Sequence, residues 1–145
     1  MAHTLQLARH AFLASLSRDV VGAERVRLIA VLDALLAWTL ARPTLLQFRA
    51  DDSRGDVISF FRAGSKVVFW SVTPRRGDLP KLELLPRAAR ALTEDDRSTA
   101  TRTINTYSRE TLVDGDPLRI GFGALKNPTA RAAVLALMDQ LLVVT

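Results

Sequence analysis

The chain has 145 residues, 48% of them apolar, and no cysteine. This suits one packed domain, argues against overall disorder, and removes disulfides, thiolate nucleophiles and cysteine-ligated metals from consideration. The formal charge is +5, and arginine supplies 17 of the 20 basic residues; its planar fork grips phosphate or carboxylate in two places, as lysine cannot.

The excess charge is +3 over residues 1–50, +2 over 51–110 and zero over 111–145. No segment is a polybasic tail, so the charge permits an acidic partner without demanding one. The longest apolar run, Leu28 to Leu40, contains Asp33, and a core helix is expected there rather than a membrane span. Arg9 and His10 interrupt any secretory apolar segment near the N-terminus. With no cysteine, a cytoplasmic setting is expected.

Leu5, Ala8, Phe12 and Leu16 recur at helical spacing and predict a peripheral N-terminal helix over residues 1–17 of a single domain spanning 1–145. A second helix is expected from about Gly22 to Ala41. Pro43 stops it, and Arg42 suits its negative end. Its apolar set covers more than one face, while Ala30, Ala34, Ala37 and Ala41 form a small-residue stripe. Such a helix is either central to the fold or partly buried in a dimer.

Thr44–Ala50 alternates with period two and reads as a half-buried strand; Asp51 to Asp56 is a turn by composition. Val57–Arg62 and Lys66–Thr73, joined by Ala63-Gly64-Ser65, predict a hairpin in which Ile58 and Phe60 share one face and Val68, Trp70 and Val72 another. The basic turn Pro74-Arg75-Arg76-Gly77-Asp78 precedes a further strand, Lys81–Leu85. Thr93 with Asp96 resembles a capping box opening a helix near 94–110. Its four threonines make it a poor helix former, held by packing. Leu118–Phe122 is a fifth short strand, and Asn127 caps a last helix with Pro128 at its first position. The expected class is α+β: a small antiparallel sheet of four to five strands packed against N-terminal and C-terminal helices.

Phe69-Trp70 in a central strand, and Leu118-Arg119-Ile120-Gly121-Phe122 before a closing helix, complete the order helix, antiparallel hairpins, helix, strand, helix. Over residues 25–143 this layout resembles small bacterial α+β domains of the YjbR-like kind. The resemblance implies an α+β fold, sometimes suspected of DNA contact, and carries over no functional residue.

The strongest candidate surface is the Thr93-capped helix. Ser98, Arg102, Asn105 and Arg109 fall at i, i+4, i+7 and i+11 on one strip, with Ala100, Ile104 and Tyr107 roughly opposite. Arg and Asn are the types that read guanine and adenine edges, and Ser suits phosphate. Arg75 and Arg76 in the hairpin loop, with Arg87 and Arg90 before the helix, add candidate phosphate contacts. A solvated helix face has the same composition, and no helix-turn-helix, zinc-finger or aromatic RNA-binding motif accompanies it.

The Asp51, Asp52 and Asp56 cluster offers oxygens, but turn chemistry explains aspartates there and no metal is expected. His3 and His10 lie two helical turns apart, about 10 Å, too far to share one metal. No acid, base and nucleophile assemble from the sequence, so neither enzyme activity nor a cofactor is expected. Two readings follow. One is a non-catalytic binding or interaction domain engaging nucleic acid, an acidic protein or another polyanion through the arginine-bearing helix and hairpin loop. The other is a homo-oligomer, such as a homodimer through the second helix, binding a small ligand between sheet and helices. Neither involves a membrane.

Overall fold

The alternation in the middle third forms one sheet, and the computed structural model describes it within residues 3–51 and 53–145. Two helices open the chain, α1 (His3–Leu16) and α2 (Gly22–Leu40). Strands β1 (Leu46–Phe48), β2 (Ile58–Arg62), β3 (Val68–Arg75) and β4 (Asp78–Leu84) follow. A 3-10 turn (Ala89–Ala91) leads to α3 (Glu94–Tyr107), then β5 (Leu118–Gly121), the single-turn α4 (Phe122–Leu125) and α5 (Pro128–Val144). The sheet runs in the order β1-β2-β3-β4-β5 with every neighbour antiparallel. This is an α+β fold, its helices flanking one meandering sheet.

One face of the sheet is the core. Leu46, Ile58, Phe60, Trp70, Val72, Leu82, Leu84, Leu118 and Ile120 are all buried on it, as alternation requires. Phe12 of α1 meets Phe122 of α4 above them, with ring centroids 6.1 Å apart. The second helix is central: Leu28, Val31, Leu32, Leu35, Leu36, Trp38 and Thr39 are buried, while Ala30, Ala37 and Ala41 of the small-residue stripe face solvent. Thr39 donates to the Leu35 carbonyl at 2.8 Å and accepts from the Trp70 indole at 2.9 Å, which ties α2 to β3 inside the core. Arg42 does close the C-terminal end of α2, donating to the Trp38 carbonyl at 2.7 Å and to Asp139 of α5 at 2.7 Å. No helix among the described residues is long and apolar enough to cross a membrane.

Three expectations change. Alternation predicts Val68 on one face with Trp70 and Val72, but the β2–β3 register shifts between Phe60 and Phe61. Val68 therefore pairs with Phe61 on the outer face, and the extra residue, Phe69, turns inward against Trp38 at 6.1 Å. The basic turn is shorter than its composition suggests: β3 and β4 run up to the Arg75–Asp78 pair, leaving Arg76 and Gly77 at the tip, with Gly77 at φ 73°. The helix predicted to 110 stops at Tyr107, so Arg109 lies beyond it.

Candidate functional site

On the opposite face, beyond the Phe61–Val68 pair, the alternate residues of β3, β4 and β5 are polar. Ser59 and Ser71 hydrogen-bond across β2 and β3 at 2.9 Å. Ser71, Glu83 and Arg119 align across β3, β4 and β5, and Thr73, Lys81 and Gly121 align in the next row. Above them lies an open groove of about 740 Å³. Arg54, Arg75, Arg76, Lys81 and Arg119 supply its positive charge and Glu83 a negative one. A smaller hollow continues from Arg54, Arg75 and Arg76 to Arg18 at the end of α1.

Four separate segments position these side chains. Arg54 sits in the β1–β2 loop, whose turn is built by Asp51: its carboxylate accepts from the Ser53 amide, the Ser53 hydroxyl and the Arg54 amide at 2.6–3.0 Å. Those bonds, the hydroxyl's first, hold the Asp51 carboxyl below its ordinary range. Arg54 then grips Asp56 in a two-point contact at 3.0 Å, and Asp56 also accepts from Ser15 at 3.0 Å. The hairpin tip is fastened to the α1–α2 connection by the Gly77 amide, which donates to Asp19 at 3.1 Å. Arg75 approaches Asp78 only to 3.9 Å, and Arg76 makes no ion pair among the described residues.

Glu110 is the internal counter-ion of this face. It lies just past α3, in a segment pinned by Asn105, whose side chain donates to the Leu112 carbonyl at 2.8 Å and accepts from the Leu112 amide at 2.7 Å. From there its carboxylate takes three hydrogen bonds from Arg119 at 2.5–3.2 Å and one from Lys81 at 3.3 Å. The Arg119 bonds, aided by Lys81, hold the Glu110 carboxyl down at about 2 against an ordinary 4.5. A depressed carboxyl stabilises the fold fully above its ordinary value, and that stabilisation is lost as pH falls towards the folded value. Unscreened linkage would give about 3 kcal/mol; with the side chain 37% exposed, solvent screening cuts this to about 1 kcal/mol. Thermal melts of the native chain and Glu110→Gln should therefore differ by a few degrees near pH 7, and the two should converge as pH falls from about 4.5 to about 2.

The predicted site residues separate into three places. Arg75 and Arg76 join the groove. Arg87 and Arg90 lie at the other end of β4, about 20 Å away along the strand, where they line a different cleft with Arg97. Ser98 and Arg102 are exposed on α3, while the Asn105 amide is engaged with Leu112. Arg109 is exposed just outside the helix. Sequence reasoning missed Arg54, Lys81 and Arg119. The predicted strand Leu118–Phe122 contains Arg119, but only the β4–β5 register brings it to Lys81 and Glu83.

Among the described residues no group of three or more His, Cys, Asp or Glu side chains is placed to hold a metal. Asp52 of the aspartate cluster, and the His3 side chain, lie outside the described residues. Compared with known proteins, the chain matches no family model, no curated protein and no solved structure.

Proposed function

We propose that the chain is an interaction domain that binds a phosphate-bearing polyanion, nucleic acid foremost, along the outer face of its sheet. The observation that carries this reading is the convergence of Arg54, Arg75, Arg76, Lys81 and Arg119 on one open groove. Asp56, Asp78, Glu83 and Glu110 lie among them, so the attraction comes from unused donors more than from net charge. Arg54 and Arg119 each spend Nε and Nη2 on a carboxylate and keep Nη1. Arg75 is loosely held and Arg76 keeps its whole fork. A guanidinium that keeps an N–H facing out beside its carboxylate partner can still meet phosphate oxygens.

The groove presents no helix for the major groove and no stacking aromatic, so recognition of the backbone rather than of sequence is expected. Short duplex DNA should bind with a log–log salt slope of about −4, for four or five neutralised phosphates. Affinity should then fall on the order of 10²-fold between 50 and 200 mM salt. Fluorescence anisotropy at those two salt concentrations measures it, and a flat response removes the reading. Arg102→Ala/Arg109→Ala tests the helical contribution: unchanged affinity leaves the hairpin and sheet as the whole surface.

A further inference from the structure

At the far end of β4 the backbone enters a strained turn. Leu85 and Arg87 both adopt left-handed conformations, with φ 48° and 68°, a region that residues other than glycine rarely occupy. Three bonds hold Leu85 there: its amide donates to the Phe69 carbonyl at 2.7 Å, and its carbonyl accepts from Ala88 and Ala89 at 3.0 Å. Its side chain is buried. The surrounding structure thus enforces the turn, and enforced backbone strain clusters at ligand sites.

The turn forms part of a cleft of about 700 Å³, of small-molecule size, which meets the basic groove only at Glu83. Arg87 and Arg90 from the turn and Arg97 from α3 line it, and so do Glu83 from β4 and Asp114 and Asp116 from the turn before β5. Pro86 and Pro117 give it apolar surface. Three guanidinium groups and three carboxylates thus share one cavity, yet among the described residues no ion pair within 4.0 Å joins any of these arginines to any of these acids. Elsewhere the same chain pairs its charges readily, as at Arg9–Asp33 and Arg119–Glu110. The Arg97 Nε–H is buried without any hydrogen-bond partner. Leaving a buried charged donor unsatisfied costs folding free energy; Nε itself is closed off, and the part of Arg97 that lines the cleft is what a ligand can meet. Asp116 spends one oxygen on the Val113 amide at 2.8 Å and keeps the other.

We propose that this cleft binds a small zwitterionic molecule, its carboxylate or phosphate received by Arg97 with Arg87 and Arg90 and its ammonium by Asp114 and Asp116. Charges held apart within one cavity fit a ligand that carries both signs, because each end then gains a charge-assisted hydrogen bond. An anion alone would leave the carboxylates unmet, and a cation alone the guanidiniums. This inference stands apart from the polyanion reading and survives its failure.

The test is a titration of the ¹⁵N-labelled protein followed by two-dimensional NMR, read at the Gly115 amide and the Arg97 Nε–H. O-phosphoethanolamine and 4-aminobutyrate serve as zwitterions, one with phosphate and one with carboxylate. Inorganic phosphate, acetate and propylamine serve as single-charge probes. Saturable shifts are expected with at least one zwitterion, and the stronger of the two names the anionic group. The single-charge probes should bind about tenfold more weakly or less. Arg97→Gln should weaken the zwitterion about tenfold or more, and the exposed Arg90→Gln asks the same question should the first variant not fold. Asp114→Asn/Asp116→Asn should leave the zwitterion no better than its anion alone. Absence of saturation by either zwitterion at about 10 mM, a dissociation constant far weaker than small-ligand sites show, overturns the proposal. So does phosphate binding as tightly as phosphoethanolamine, or shifts confined to the β3–β4 hairpin.

Discussion

Alanine at Trp70 is expected to remove about 4 kcal/mol of folding free energy, a large share of the roughly 5–15 kcal/mol that a domain holds. Trp70 is fully buried in β3, its ring stacked on Phe60 at 5.1 Å. Truncation leaves a cavity under α2 that the rigid sheet cannot close. It also strips the Thr39 hydroxyl of the indole donor it accepts from. Thr39→Val probes that bond alone: it keeps the volume but strands the indole N–H in the core, at about 1–3 kcal/mol. Trp70→Phe/Thr39→Val removes both partners, so its cost should fall below the sum of the single changes. Urea denaturation followed by circular dichroism gives all of these differences. A loss below about 1 kcal/mol for Trp70→Ala, the size of a surface effect, would show that β3 does not sit where the packing places it.

How far the sequence carried this fold depends on the range of the signal. Period-two alternation at Val57–Arg62 and Lys81–Leu85 marked both strands and their buried faces, because one face is screened by helices and the other is open, although β4 starts at Asp78 and ends at Leu84. Asn127 and Thr93 marked helix starts, and their side chains do accept from Thr129 and Asp96. The bulge at Phe69 was not legible: Val67-Val68-Phe69-Trp70 is apolar throughout, and only pairing with β2 decides which residue is extra. The groove was not legible for a related reason. Helical spacing, a local pattern, groups Ser98, Arg102, Asn105 and Arg109, and of these only Arg109 falls beyond the end of α3. The groove instead gathers Arg54, Arg75, Arg76, Lys81 and Arg119 from segments joined only through sheet register. Arg54 was hidden in a run whose composition signals a turn.

Two changes to the groove should move DNA affinity in opposite directions, which distinguishes a surface that binds phosphate from one that is only basic. Arg75→Ala/Arg76→Ala removes the two least-engaged forks. The salt slope should drop by nearly two, and affinity at 50 mM salt should fall on the order of 10²-fold. Both side chains are exposed at the hairpin tip, so stability should change by less than about 0.5 kcal/mol, and a melting curve separates lost contacts from lost fold. Glu110→Gln acts the other way. Its carboxylate already occupies Arg119 and Lys81 much as a bound anion would. Removing that charge should release about one further phosphate contact, steepen the slope by about 0.9 and tighten binding about tenfold at 50 mM salt. The opposite result for Glu110→Gln would mean that the carboxylate holds Arg119 in its binding pose rather than competing for it. Equal affinities for all three proteins would remove the outer face of the sheet as the binding surface.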